Sequence, residues 1–121
     1  MKKQSIASEA ALAIGKTRVA DVACPVARAL EVMGDRWSIL ILRDLLVQGP
    51  RRFQDLSESL TGISPNVLSG RLKKLMDHGV IAAEAYSLHP PRNQYVLTDR
   101  GRSLGPIMAG LRDWGELYTE P

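Results

Sequence analysis

The chain has 121 residues, a formal net charge of +3 and a hydrophobic fraction of 45%. This length fits one domain with a modest core, and this composition excludes a mainly disordered chain. The mild positive charge is compatible with a polyanionic partner without identifying one. The single cysteine excludes an intramolecular disulfide framework and favours a reducing, cytoplasmic setting. No stretch is apolar over the roughly 18 residues of a bilayer-spanning helix, so we expect no membrane contact.

The first half of the chain predicts helices. We expect an N-terminal arm or short helix over residues 1–23, followed by a domain over residues 24–118. In that domain Pro25–Met33 predicts a helix, which Gly34-Asp35 ends while supplying the cap of the next one. Residues 37–47 are apolar on nearly every side, which is typical of a helix at the centre of a fold.

A short helix, a tight turn and a further helix follow in the sequence. Phe53, Leu56 and Leu60 recur at helical spacing, and residues 61–63 contain the glycine of a turn. A helix, a glycine-containing turn and a second helix form the helix-turn-helix arrangement. In this arrangement the second helix enters the major groove of DNA.

The second helix of that pair has a recognisable start and end. Ser64 can accept a backbone N–H bond as N-cap, Pro65 suits the first helical position, and Gly79 supplies a left-handed residue at the end. Its buried stripe is predicted to contain Leu68, Leu72, Leu75 and Met76. The opposite face carries small, hydrogen-bonding or cationic residues that fit a major groove, namely Asn66, Ser69, Gly70, Lys73 and Lys74.

The next segment predicts a β-hairpin with a stiff tip. Val80–Tyr86 is short and partly apolar, and Asn93–Leu97 resumes the same pattern. Residues 87–92 contain two prolines, so we expect them not to continue either strand. Helices followed by a helix-turn-helix and a hairpin predict a mainly α fold with a small β-hairpin wing, which is a winged helix-turn-helix.

The last predicted helix is capped by Thr98 and bends or restarts at Gly105-Pro106. Its apolar stripe consists of Leu104, Ile107, Met108, Leu111, Trp114 and Tyr118. A stripe this long in so small a chain favours contact with a partner. We therefore predict a homodimer interface containing Leu111, Trp114 and Tyr118.

These elements predict contacts with both bases and phosphates of DNA. Asn66, Ser69 and Lys73 are candidates for base edges, because an amide pairs with adenine and an ammonium donates to guanine. Arg71 lies beside the apolar stripe, where it makes either a structural ion pair or a phosphate contact. The wing is expected to present Arg92 to a minor groove or a phosphate. The remaining candidates for DNA contact are Ser64, Pro65, Gly70, Lys74, Arg51 and Arg52.

The collinear order of these motifs resembles the HxlR-type regulators, a bacterial family related to the MarR regulators. The motifs that carry the resemblance, within residues 24–116, are Cys24-Pro25-Val26, Gly34-Asp35-Arg36-Trp37, Arg52-Phe53-Gln54-Asp55-Leu56, Gly62-Ile63-Ser64-Pro65, Leu97-Thr98 and Trp114. The resemblance implies a homodimeric, sequence-specific transcription regulator that binds double-stranded DNA. Most such regulators are repressors, and their protomers pair through the terminal helices.

Cys24 has two interpretations. Its position at a helix N-terminus favours the thiolate and hence reactivity, whereas free cysteines are also among the most buried residues. Several members of the resembled family sense oxidants or electrophiles through a cysteine at this position, which implies an effector of that kind. The alternatives are control by a small-molecule ligand and a winged helix that contacts only proteins.

No motif in the sequence has a catalytic or metal-binding mechanism. The chain lacks a glycine-rich phosphate loop, and His78 and His89 have no paired cysteines at a metal-ligand spacing. We therefore expect no enzyme activity, no metal site and no cofactor.

Overall fold

The structure, a computed structural model, describes residues 23–121. In chain order its elements are α1 (Pro25–Met33), α2 (Arg36–Gln48), α3 (Phe53–Ser59), α4 (Pro65–Asp77), β1 (Ile81–Leu88), β2 (Pro91–Leu97), α5 (Asp99–Arg102) and α6 (Gly105–Tyr118). This order is the predicted mainly α fold with a small hairpin wing. The arm or short helix predicted over residues 1–23 falls outside the described residues, except for the last of them.

The chain divides into two compact units, with α1 in the first and residues 35–121 in the second. Helix α1 begins at Pro25, as predicted, and Cys24 is its capping residue. The second unit contains the helix-turn-helix, the wing and the last two helices.

The core of the second unit is formed by α2, α3, α4 and the hairpin. Its fully buried large apolar side chains are Ile41, Leu42, Leu56, Leu68, Leu72 and Leu75. The last three lie on one face of α4 and confirm the predicted stripe, although Met76 is only half buried. Helix α2 is central on one side only, because Val47 is 61% exposed on the other.

Local capping explains where α4 begins and ends. The Ser64 hydroxyl accepts a hydrogen bond from the Val67 backbone N–H at 3.2 Å, and Pro65 occupies the first turn. The turn before α4 contains Gly62 with φ +92°, and Gly79 with φ +73° follows its end. Both glycines adopt the left-handed region that other residues rarely occupy. The predicted helix-turn-helix is therefore confirmed in its local detail.

The two strands of the wing are longer than predicted. They pair antiparallel from Ile81 opposite Leu97 to Leu88 opposite Pro91, with an irregularity between Ala85 and Ser87. The prediction that residues 87–92 would not continue the strands was wrong. Pro91 is the first residue of β2, a position where a strand tolerates the missing N–H group.

The wing is joined to the helical core through Arg51 and Gly101. The backbone of Arg51 pairs with Tyr95 of β2 through N···O distances of 3.0 and 2.7 Å. A Cβ atom at Gly101 would collide with the Val80 carbonyl oxygen, so only glycine fits where α5 meets the base of the wing. Helix α6 then begins at Gly105, which confirms the predicted restart.

Candidate nucleic-acid interface

The outer face of α4 carries exposed polar side chains. Asn66, Ser69, Gly70 and Lys73 are all exposed, while Leu68 and Leu72 on the opposite face are buried. Within residues 23–121, no hydrogen bond or ion pair engages the side chains of Asn66, Ser69 or Lys73. None of the described residues places an atom within 4 Å of a Cβ built on Gly70, so packing among residues 23–121 does not require this glycine.

The other two cations of α4 are paired with Asp35. The Arg71 Nε lies 3.0 Å from Asp35 Oδ1, and the Lys74 Nζ lies 3.5 Å from Asp35 Oδ2. Asp35 also caps α2, because its Oδ1 accepts the backbone N–H of Ser38 at 2.9 Å. The ion-pair interpretation of Arg71 thus describes the unbound protein.

The surroundings of Asp35 favour its ionised form. Burial acts to raise the pKa of this carboxyl, but hydrogen bonds from Ser38 and Arg71, with the positive charge of Arg71, hold the pKa well below its ordinary value. Asp35 is therefore ionised near neutral pH.

Arg51 differs from the other predicted DNA contacts because its side chain points toward a buried carboxylate. Its Nε lies 3.3 Å from Oδ2 of Asp44, which is 2% exposed. The Ser59 hydroxyl donates to the same carboxylate at 2.9 Å. Arg51 therefore links the wing, through its backbone contact with Tyr95, to α2 and α3.

Two other arginines lie on or beside the wing. Arg92 is exposed in β2, close to the turn formed by His89 and Pro90. Arg52 is exposed as well, and its guanidinium lies 4.3 Å from the ring centroid of Tyr86 in β1. Such stacking restrains the side chain while leaving its N–H groups at the surface.

Sequence reasoning missed Asp44 and treated Asp35 only as a cap. A signal for Asp44 was present, because this residue precedes Leu45 and Leu46 in a helix predicted to be central, and a carboxylate that is buried there requires a partner. The partner of Asp35 could not be found in the same way, because Arg71 lies 36 residues further along the chain.

Helix α6 has no buried residue. Its apolar stripe is exposed, with Leu111 at 51%, Trp114 at 61% and Tyr118 at 60%. The ring centroids of Trp114 and Tyr118 lie 5.2 Å apart. The neighbouring Leu117, which the sequence pattern did not single out, is 72% exposed.

A groove of about 430 Å³ lies between α2 and α6 and continues the exposed stripe. Its apolar lining comes from Ile39, Leu40, Leu46, Val47, Met108 and Leu111. This size is within the range of small-molecule pockets, as the alternative of a small-molecule effector requires.

Cys24 is 4% exposed. It stands at the capping position of α1, where the sequence placed it, but its thiol has little contact with solvent.

The described residues contain neither a metal-binding cluster nor a membrane-spanning helix. Between residues 23 and 121, no group of three or more His, Cys, Asp or Glu side chains is arranged to hold a metal ion. In the same part of the chain, no helix is both long and apolar enough to cross a membrane.

Comparisons with known proteins identify the family. The model of the HxlR-like helix-turn-helix family matches residues 32–121. An HTH-type transcriptional regulator of Synechocystis sp., sll1512, is 37% identical over 97 residues, which cover 80% of this chain and 71% of that protein.

Solved structures agree with this assignment. PA1607, a proposed transcription factor, is similar with a TM-score of 0.72 and 43% identity, over 84% of this chain and 69% of that one. The redox regulator HypR in its oxidized form is similar with a TM-score of 0.71 and 32% identity, over 81% of this chain and 100% of that one. The chain therefore belongs to the HxlR-like helix-turn-helix family and is a transcriptional regulator rather than an enzyme.

Proposed function

We propose that the protein is a homodimeric repressor that binds operator DNA with the outer face of α4 in the major groove. One observation carries this proposal: Asn66, Ser69 and Lys73 are exposed on α4 and have no partners within residues 23–121. Side chains without partners can bind base edges without breaking an existing contact. The buried face of α4 packs into the core and thereby fixes the position of the helix that carries these three side chains.

The side chains of α4 suit different parts of the groove. The Asn66 amide is suited to adenine, Lys73 to guanine, and the Ser69 hydroxyl to either kind of base edge. Gly70 allows close approach to a base or phosphate. The N-terminal residues Ser64 and Pro65 face the DNA backbone in this placement, where the positive end of α4 attracts phosphate.

The wing contributes contacts that do not depend strongly on sequence. Arg92 and Arg52 are exposed on or beside the hairpin and are assigned to phosphates or a minor groove. Arg51 has an internal role in this proposal, because its guanidinium is engaged with Asp44.

The exposed stripe of α6 is proposed as the homodimer interface. Leu111, Trp114 and Tyr118 expose apolar surface that has no cover within residues 23–121, and the groove beside α2 extends this surface. A two-fold dimer requires a two-fold operator, with half-sites separated by about 34 Å or a multiple of it. Such a dimer would repress transcription by occupying promoter DNA.

Selection of bound sequences from random duplex DNA tests this assignment. We expect Asn66→Ala and Lys73→Ala to relax the selected sequence, because each base contact contributes about 1–3 kcal/mol of discrimination. Arg92→Ala should weaken all sequences more evenly. Gln48→Ala, which changes an exposed amide on α2, is the control.

Two results would contradict the proposal. Unchanged selectivity in both α4 variants would mean that another surface contacts the bases. Duplex binding that does not weaken with salt would favour the alternative of a winged helix that contacts proteins, since phosphate neutralisation releases counterions.

A response to oxidants or electrophiles through Cys24 is a second proposal. The position of Cys24 at the start of α1 and the similarity to the redox regulator HypR support it, whereas its 4% exposure favours a packing role. Modification would require local opening and would add bulk at the start of α1. We expect diamide to change operator binding by the wild type and not by Cys24→Ser. Identical responses, or no thiol labelling of the folded protein, would assign Cys24 to packing.

A further inference from the structure

Asp35 contacts both α2 and α4 at a surface that solvent reaches. It caps α2 through the Ser38 N–H, and its two carboxylate oxygens face Arg71 and Lys74 of α4. The side chains of Asp35, Arg71 and Lys74 are 29%, 37% and 40% exposed, so the cluster is accessible to an approaching polyanion.

This cluster changes the charge that α4 presents to DNA. The helix carries three cations, Arg71, Lys73 and Lys74. Asp35 is paired with two of them, and Lys73 is the only cation of α4 without a partner within residues 23–121. A phosphate that approached Arg71 or Lys74 would have to displace a carboxylate and would meet its negative charge.

We propose that Asp35 is a specificity-determining residue, which keeps Arg71 and Lys74 from DNA phosphates and so lowers the affinity for non-operator DNA. This inference rests on the proposed role of α4 in the major groove. Phosphate contacts supply affinity for any sequence, whereas specificity is the difference between operator and other DNA. An equal phosphate term on both duplexes would cancel from that difference. On the operator, however, the base contacts of Asn66 and Lys73 fix the position of α4, whereas on other DNA the helix can shift until free cations meet phosphates. Asp35 therefore lowers the affinity for non-operator DNA more than the affinity for the operator.

The substitution Asp35→Asn separates this electrostatic role from capping. Asparagine caps a helix as well as aspartate does, so the start of α2 is retained while the charge is removed. Asp35→Ser is a second neutral capping variant and serves if the asparagine variant does not fold. Asp99→Asn is the matched control, because the Asp99 side chain is 98% exposed and pairs with Arg102 in α5.

The experiment measures affinity for two duplexes over a range of salt concentrations. One has random sequence, and the other is selected from a random pool by the wild-type protein. For Asp35→Asn we expect random-duplex affinity to rise by about threefold to tenfold at low salt, with a salt slope steeper by about one to two. The ratio of selected to random affinity should fall, whereas Asp99→Asn should keep the wild-type ratio.

A reversal variant tests the cause of the gain. Combining Arg71→Gln with Asp35→Asn should bring the random-duplex affinity back down, because the released guanidinium is removed. If Asp35 had a purely structural role, Asp35→Asn would instead lower the affinity for both duplexes, because α4 would be misplaced.

The outcomes separate the inference from the proposed function. A folded Asp35→Asn or Asp35→Ser protein with an unchanged affinity ratio, or with weaker binding to both duplexes, overturns the inference alone. A wild-type protein that selects no sequence from the pool overturns the proposed function, and the inference with it.

Discussion

Helices α4 and α6 are both amphipathic, but only α4 has its apolar stripe covered within the described chain. Leu68, Leu72 and Leu75 are at most 1% exposed, whereas Trp114 and Leu117 are 61% and 72% exposed. Periodicity in a sequence therefore identifies an apolar stripe without revealing what covers it.

This difference supports the different roles that we propose for the two helices. Burying a leucine side chain contributes about 1.5–3 kcal/mol, and α4 obtains this stabilisation inside the second unit. This packing also fixes the position of the opposite face, which we propose contacts DNA. Among residues 23–121 nothing covers the stripe of α6, and we therefore propose that a partner subunit supplies comparable stabilisation there.

The largest predicted effect tests this difference in burial directly. Leu72→Ala should lower the free energy of unfolding by about 2–5 kcal/mol, because it leaves a cavity in the core. Leu117→Ala should change it by less than about 0.5 kcal/mol at low protein concentration, where α6 has no partner. Denaturant unfolding measures both values. Comparable losses in the two variants would mean that the chain itself covers the stripe of α6.

The next effect concerns association. Trp114→Ala should weaken the homodimer by about 2–4 kcal/mol, as expected for a central aromatic residue of an interface. Operator binding should weaken with it, although α4 is unchanged. Light scattering and sedimentation measure the mass, and Glu116→Ala on the same helix is the control.

The outcome for Trp114→Ala also locates the interface. An intact dimer in this variant would place the contact in the N-terminal segment instead. A monomeric wild-type protein at micromolar concentration would remove the dimer proposal altogether.

A smaller predicted effect is the change in stability when a glycine in each of the two helices is replaced by alanine. In the part of the chain that the structure describes, no atom lies within 4 Å of a Cβ built on Gly70 in α4 or on Gly110 in α6. Alanine at either position should therefore stabilise the unbound fold by about 1 kcal/mol, measured as a raised Tm. Gly70→Ala should at the same time weaken operator binding by preventing close approach to DNA. Unchanged operator affinity would show that Gly70 has no role in the groove.

The smallest effect is the pH dependence due to Asp35, which links α4 to α2. In the folded protein the pKa of this carboxyl lies below its ordinary value. Its contribution to the free energy of unfolding is therefore fully present above the unfolded pKa of about 3.9. The contribution is lost as pH falls through the folded pKa. Near neutral pH, wild type should exceed Asp35→Asn in unfolding free energy by a few tenths to about 1 kcal/mol. This gap should close on acidification, and a gap that is independent of pH would contradict the assignment.

Much of the fold could be predicted because its signals are local. Ser64, Pro65 and Gly79 set the limits of α4 through hydrogen bonds and backbone preferences that act within a few residues. The same locality explains why the exposure of Asn66 and Lys73 was predicted, since both lie opposite the apolar stripe.

The longer strands of the wing show where local reasoning ends. Two prolines in residues 87–92 suggested an interruption, yet Leu88 pairs with Pro91 across the turn. Whether a proline interrupts a strand depends on which of its backbone groups the neighbouring strand uses, and this is decided by the pairing register.

The sequence by itself determined the helix-turn-helix, the wing and the polar outer face of α4, because capping, periodicity and turn chemistry act over short distances. Only the tertiary structure decided that Arg51 pairs with the buried Asp44, that Asp35 holds Arg71 and Lys74, and that α6 remains without cover among the described residues. These outcomes depend on packing between elements far apart in the chain. The partner of a charged side chain, unlike its place on a helix, is set by that packing.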